Sequence, residues 1–150
     1  MTGGIRVLHV DDDPHFLDLT STVLARQDDR LEVVTESVAA GGLERLTAGA
    51  SSFDCVVSDY QMPELNGLEL LEAVRERDPD LPFILFTGEG SESLASDAIT
   101  RGATDYLRKG TQSEQYELLA NRITNAVERY RNAQRAAELA ANHPEAHASS

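Results

Sequence analysis

With 150 residues the chain has room for one domain with a proper core and not for two full domains. Asp and Glu outnumber Lys and Arg by 26 to 13, a formal charge of −13, which excludes non-specific binding of DNA or RNA because that needs a basic face. No apolar run approaches the roughly 20 residues of a membrane span, Met1 to Gly4 carries no basic leader, and the single cysteine, Cys55, cannot close an internal disulfide. A soluble, cytoplasmic protein is expected.

Short apolar runs alternate with amphipathic stretches, the pattern of an α/β domain around a parallel sheet. The first run, Ile5–Val10, ends in Asp11-Asp12-Asp13-Pro14. Asp13 before Pro14 reads as an N-cap followed by proline at the first helical position, opening a helix with Phe16, Leu17, Val23 and Leu24 on its apolar side. A second strand is predicted over Leu31–Thr35, with Glu36 and Ser37 beyond it. If that strand lies at an edge, no catalytic residue type is needed there.

Phe53–Ser58 and Pro82–Thr87 are nearly continuous apolar runs, as strands buried on both faces are. Cys55 falls inside the first of them and reads as a small buried hydrophobe. Asp59 follows that strand, and Tyr60 to Gly67, with Pro63 and Gly67, forms a shaped loop. Leu65, Leu68, Leu71 and Val74 repeat at helical spacing until Asp78-Pro79 closes the helix. Leu94, Ala98 and Gly102 mark a short fourth helix, and Thr104–Leu107 a fifth strand. A last helix from about Ser113 carries Leu119, Ile123, Val127 and Tyr130 on one face. Helical propensity continues through Ala133, Ala136, Ala137 and Leu139 until His143-Pro144, before a tail expected to be disordered. The overrun is either a solvated, frayed helix or the start of a linker or dimerising helix.

In parallel α/β sheets, functional groups gather beyond the carboxyl ends of the strands. That rule collects Asp11 and Asp12 after the first strand, Asp59 after the third, Thr87 at the fourth and Lys109 at the fifth. Carboxylates crowded on one rim repel each other, and a hard divalent cation such as Mg²⁺ relieves this with oxygen ligands. The absence of a His or Cys cluster argues against zinc. A carboxylate on a shaped loop beside a metal can attack phosphorus and form an aspartyl phosphate, with Lys109 and the Thr87 hydroxyl neutralising the equatorial oxygens. Of thirteen basic residues twelve are Arg and only Lys109 is Lys, so this position calls for a compact ammonium rather than a planar fork. The same Lys-poor, acidic composition suits either a cytoplasm at very high salt, as in a halophilic archaeon, or an acidic protein from a GC-rich genome.

These residues together resemble the receiver domains of two-component response regulators, the CheY-like family. Val10-Asp11-Asp12-Asp13-Pro14 is similar to that family's acidic pair, and Ser58-Asp59-Tyr60-Gln61-Met62-Pro63 with Gly67 to its phosphoacceptor signature. Phe86-Thr87-Gly88 and Leu107-Arg108-Lys109 are similar to its switch threonine and lysine. The landmarks run in order from about Ile5 to Tyr130.

The resemblance implies a doubly wound, flavodoxin-like five-stranded parallel sheet of order 2-1-3-4-5 with helices on both faces. It implies a receiver domain over 1–131, with a helical extension and tail over 132–150. It further implies that Asp59 accepts a phosphoryl group from a partner histidine kinase or phosphotransfer protein. Mg²⁺ would be held by Asp12 directly, by Asp11 largely through water, by Asp59 and by the Gln61 main-chain carbonyl. Thr87 would bond the phosphoryl oxygens, Tyr106 would change rotamer with it, and Gln61 and Glu89 would tune acyl-phosphate hydrolysis. The output partner would meet the face of the fourth helix, fifth strand and fifth helix, a face that could also support a homodimer. The family usually has Lys-Pro with a cis peptide where this chain has Lys109-Gly110. The residues after Tyr130 leave no room for a DNA-binding output domain, so a stand-alone receiver or the first piece of a longer regulator is expected. Two rival readings, a metal-dependent phosphohydrolase and a phosphorylation-independent interaction module, lack a substrate-capping domain and a degenerate site respectively.

Overall fold

The computed structural model describes residues 4–48, 53–88, 90–110 and 113–141. Strands and helices alternate: β1 (Ile5–Val10), α1 (Pro14–Gln27), β2 (Leu31–Glu36), α2 (Ala39–Thr47), β3 (Cys55–Ser58), α3 (Gly67–Arg77), β4 (Phe83–Thr87), α4 (Glu92–Thr100), β5 (Asp105–Arg108) and α5 (Ser113–Ala141). All strand pairs are parallel, in the order β2-β1-β3-β4-β5. This is the expected flavodoxin-like sheet, with β2 at an edge.

Alternating side chains feed two cores, one on each face of the sheet. Leu8, Val10, Val56, Phe83 and Leu85 meet Leu70, Leu71 and Val74 of α3 and Leu94 and Ala98 of α4. Ile5, Val7, Val57, Ile84 and Phe86 meet Leu24 of α1 and Leu119, Ile123 and Val127 of α5. Every residue of β3 and β4 is buried, as two-sided burial requires. Cys55 is one of them, and burial pushes its thiol well above the ordinary value, which leaves it an inert core side chain.

Three strands start later than their hydrophobic runs suggest: β4 at Phe83 rather than Pro82, whose ring nitrogen has no N–H to donate, and β3 and β5 for a shared reason. The carboxylate of Asp54, rather than a main-chain carbonyl, accepts the Arg6 N–H at 2.8 Å, so β3 begins at Cys55 and not Phe53. Likewise Thr104 Oγ1 accepts the Phe83 N–H at 3.0 Å, and β5 begins at Asp105. Its other end reaches Arg108, because the Lys109 N–H still bonds the Thr87 carbonyl.

The Asp13 cap is found as expected, its side chain accepting from the N–H groups of His15 and Phe16. α3 begins at Gly67, behind an Asn66–Glu69 capping box, so Leu65 packs against the core from the loop and not from the helix. Gly102 falls just past α4 at φ +106°, a conformation glycine adopts without penalty. α5 continues to Ala141, with every residue from Asn132 onward exposed. The expected stop at His143-Pro144 and the tail lie outside the described residues.

Candidate functional site

The carboxyl edge of the sheet brings five of the expected residues together. Carboxylate oxygens of Asp11, Asp12 and Asp59 all lie within 4.8 Å of one another. Asp11 is fully buried, Asp59 is 7% exposed and Asp12 is exposed. Each buried carboxylate is aimed by the backbone. Asp11 Oδ1 accepts the Asp13 N–H at 2.9 Å, so the residue that caps α1 also orients the acid before it. Asp59 Oδ1 accepts the Tyr60 N–H at 2.8 Å, while the Asp59 N–H donates to the Val10 carbonyl. Those bonds turn the second oxygen of each carboxylate toward Lys109, whose Nζ is 2.6 Å from Asp11 Oδ2 and 3.4 Å from Asp59 Oδ2.

Lys109 is held on a third side by the Phe16 ring, with Nζ 4.3 Å from its centroid. Burial alone would lower the lysine pKa, but Asp11 and Asp59 outweigh it and keep the group above its ordinary value. Burial pushes the Asp11 carboxyl up, against the pull of Lys109. Three carboxylates face one ammonium at the rim, an excess of acidic groups. An all-oxygen set carrying that excess fits a hard divalent cation such as Mg²⁺.

Beside these acids an open depression of about 510 Å³ is lined by Asp12, Asp59, Tyr60, Gln61, Met62, Pro63 and Asn66. Gln61 is therefore at the wall of the site, where the family resemblance puts a main-chain ligand. Thr87 is fully buried at the end of β4. Tyr106 is half-buried and packs against the core on the α3 and α4 side. Glu89 lies outside the described residues. The Lys109–Gly110 peptide is trans, and a β-carbon on residue 110 would sit 2.5 Å from Gln115 Cγ. The glycine thus lets the first turn of α5 close over the space a proline ring would take.

Three contributors are not evident from residue type. Phe16 reads as one member of an apolar helix face, yet it is the floor under Lys109. Gly67 reads as a loop-shaping residue, whereas its α-carbon lies directly against the Asp59 backbone. Glu64 holds φ at +71°, a left-handed turn that no side-chain pattern announces.

The sequence profile of the response regulator receiver domain matches residues 7–124. The chain belongs to that family. The rice two-component response regulator ORR24 (Oryza sativa subsp. indica) is 40% identical over 112 residues, covering 75% of this chain and 17% of the rice protein. The chain thus spans less than a fifth of the length of that curated relative. Among solved structures, a response regulator receiver domain protein from Clostridium thermocellum aligns with 31% identity and a TM-score of 0.75, covering 85% of this chain and 97% of that one. A CheY-like receiver domain protein from Methanospirillum hungatei JF-1 aligns with 26% identity and a TM-score of 0.74, covering 86% and 98%. This protein is a receiver domain of the two-component signalling type. No helix among the described residues is long and apolar enough to cross a membrane.

Proposed function

We propose that Asp59 accepts a phosphoryl group from a histidine kinase or phosphotransfer protein, and that this alters the face offered to an output partner. The observation that carries the reading is the placement of Asp59. It lies on an open depression, with Asp11 and Asp12 beside it and Lys109 Nζ 3.4 Å from its outward oxygen. A carboxylate oxygen forms the new O–P bond as the donor's N–P bond breaks, and the site's task is to position the reactants and neutralise charge.

Mg²⁺ would be held by Asp12, Asp59, the Gln61 carbonyl and, through water, Asp11. When bound it supplies charge neutralisation on the phosphoryl oxygens. Lys109 pairs with another of those oxygens, and the buried Thr87 hydroxyl turns toward a third. Tyr106 then moves inward, altering the face of α4, β5 and α5, which serves an output protein or a second copy of the chain. An apolar hollow of about 570 Å³, lined by Phe16, Leu19, Val23, Gly110 and Tyr116, adjoins Lys109 and offers the phosphodonor a surface beside the acceptor. The receiver unit is taken as 1–131, and the exposed remainder of α5 leads away from it. The domain signals from the cytoplasm and assists its own dephosphorylation rather than turning over a substrate.

Mass spectrometry after treatment with acetyl phosphate and Mg²⁺ tests this directly. Wild type should gain one base-labile phosphoryl group and Asp59→Asn none, and equal labelling of the two would end the assignment. Asp12→Ala should weaken Mg²⁺ binding, since a direct ligand and a full charge are lost together. Unchanged Mg²⁺ titration in that variant would place the metal elsewhere.

A second expectation follows from the charge of −13. The surface ion pairs Arg6–Glu32, Arg45–Glu36 and Arg101–Glu72 are exposed and offset little of the repulsion. Added salt screens that repulsion, so the thermal midpoint should rise as KCl increases to molar concentration, as a halophilic origin demands. A flat or falling midpoint would refute a salt-adapted surface.

A further inference from the structure

The residue before Lys109 makes a contact that the phosphoacceptor reading leaves unused. Side chains alternate along β5. Leu107 enters the core shared with α1 and α5, and Tyr106 packs on the opposite face, toward α3 and α4. Arg108 shares the Tyr106 side and stands opposite Thr87 in the β4–β5 ladder. Its side chain turns onto the connection between β4 and α4. A β-carbon built on Gly90 would lie 2.4 Å from Arg108 Cζ, 2.4 Å from Nε and 2.8 Å from Cδ. The guanidinium and its stem therefore pack against Gly90, and a larger residue there would displace them.

That connection is the part of the chain that must follow Thr87. It starts at Thr87 and ends at Ser91, whose side chain caps α4 by accepting the Leu94 N–H at 3.0 Å. β5 thus holds it twice. The Lys109 N–H bonds the Thr87 carbonyl at 3.0 Å, and Arg108 covers Gly90 from outside. Beneath the loop a hollow of about 240 Å³, lined by Tyr60, Leu68, Gly90, Ser91, Leu94 and Asp97, leaves room for it to shift. Long cationic side chains cover such surfaces through their stems while the charged head stays in water.

We infer that Arg108 is a positioning residue: packed on Gly90, it latches the β4–α4 loop in the resting arrangement and so sets how readily Thr87 turns toward an occupied Asp59. This rests on the reading of Asp59 as phosphoacceptor. The latch is a contact of the resting state, so its loss favours the other state by the free energy it contributed.

The test has a part that needs no phosphoryl group and a part that does. Without ligand, ¹⁵N relaxation should show lower order parameters at Gly88, Gly90 and Ser91 in Arg108→Ala than in wild type, with the rest of the domain unchanged. Equal order parameters would overturn the latch whatever Asp59 does. With Mg²⁺ and beryllofluoride, the Thr87 methyl and Tyr106 ring signals should reach half-response at a concentration roughly three- to tenfold lower in Arg108→Ala, the range expected when one packed contact is lost. Gly90→Ala should give a similar shift, because its methyl displaces the arginine. The same change made in the Arg108→Ala background should add nothing. Arg108→Met, which keeps a packing stem without the charge, should respond like wild type, and a response like that of Arg108→Ala there would show that charge and not packing matters, overturning the latch. Additive effects of the Arg108 and Gly90 substitutions would overturn it too. If wild type and Asp59→Asn respond alike to beryllofluoride, the phosphoacceptor reading fails, and the ligand-free order parameters still decide the latch.

Discussion

Gly67→Ala is expected to slow phosphorylation of Asp59 by about a hundredfold, because a 1 Å misplacement of a reacting group costs on that order. The cause is a collision with backbone. A β-carbon at 67 would stand 2.2 Å from the Asp59 carbonyl oxygen, 3.0 Å from Tyr60 Cα and 2.9 Å from Leu85 Cδ1. Two of the three neighbours are main chain and cannot rotate away. The Gly67 N–H also closes the loop by donating to the Tyr60 carbonyl at 2.8 Å, so α3 cannot retreat without breaking that bond. The strand end carrying Asp59 must give way instead, and the Tyr60 N–H that aims Oδ1 goes with it. Overpacking of this kind costs about 1–3 kcal/mol or somewhat more, and the better helix propensity of alanine returns at most about 1 kcal/mol.

Gly41→Ala is the matched control, since the nearest atoms a β-carbon there would meet are the carboxyl tip of Glu36, a side chain that can swing aside at the small cost of its surface ion pair with Arg45. Urea unfolding and acetyl phosphate labelling rates should separate the two variants. A Gly67→Ala protein that labels like wild type would show that the loop has slack the close approach denies.

What could be read from residue types was the chemistry, and what could not was the packing under it. Asp11, Asp12, Asp59, Thr87 and Lys109 were legible because polar residues ending apolar runs converge by topology, whatever the details of contact. The Asp13-Pro14 start of α1 was legible because capping is local. The onsets of β3 and β5 were not, because Asp54 and Thr104 replace a carbonyl with a side-chain oxygen, and hydrophobicity carries no trace of that. Tyr130 fits the apolar stripe of α5, yet its hydroxyl donates to Asp78 Oδ2 at 2.6 Å, tying the helix to the end of α3. The Asn66–Glu69 capping box was there to be found, since its spacing is itself a local signal. Phe16 beneath Lys109 and Arg108 across Gly90 are contacts between distant segments, and a single sequence holds no record of which side chains meet.

His9 is the least legible of these and leads to the second large effect. It sits mid-run in β1 as though it were another apolar residue, and the fold treats it as one, with no exposed surface. The ring packs edge-on to Phe16 at 5.9 Å, and neither Nδ1 nor Nε2 has a hydrogen-bond partner among the described residues. Burial, helped by the nearby charge of Lys109, lowers its pKa from 6.5 to about 3. Between those values the unfolded chain binds a proton that the folded chain refuses, so stability falls as pH drops below about 6.5. At about 1.4 kcal/mol per unit, the loss is about 2 kcal/mol by pH 5 and about 4–5 kcal/mol near pH 3. At pH 7 the ring is neutral in both states, and only its unpaired nitrogens cost stability, about 1–3 kcal/mol.

His9→Leu keeps the volume nearly constant and removes both penalties. The variant should therefore be more stable than wild type by about 1–3 kcal/mol at pH 7, with the gap widening by about 2 kcal/mol at pH 5. Taking the difference between the two proteins cancels the titration of the carboxylates they share. A divalent cation beside Asp11 would disfavour the imidazolium further, so the sign holds with or without Mg²⁺. Urea unfolding at the two pH values measures it. Curves that fall in parallel would mean that His9 titrates alike in the folded and unfolded chain, and a less stable variant at pH 7 would mean that its ring nitrogens are satisfied after all.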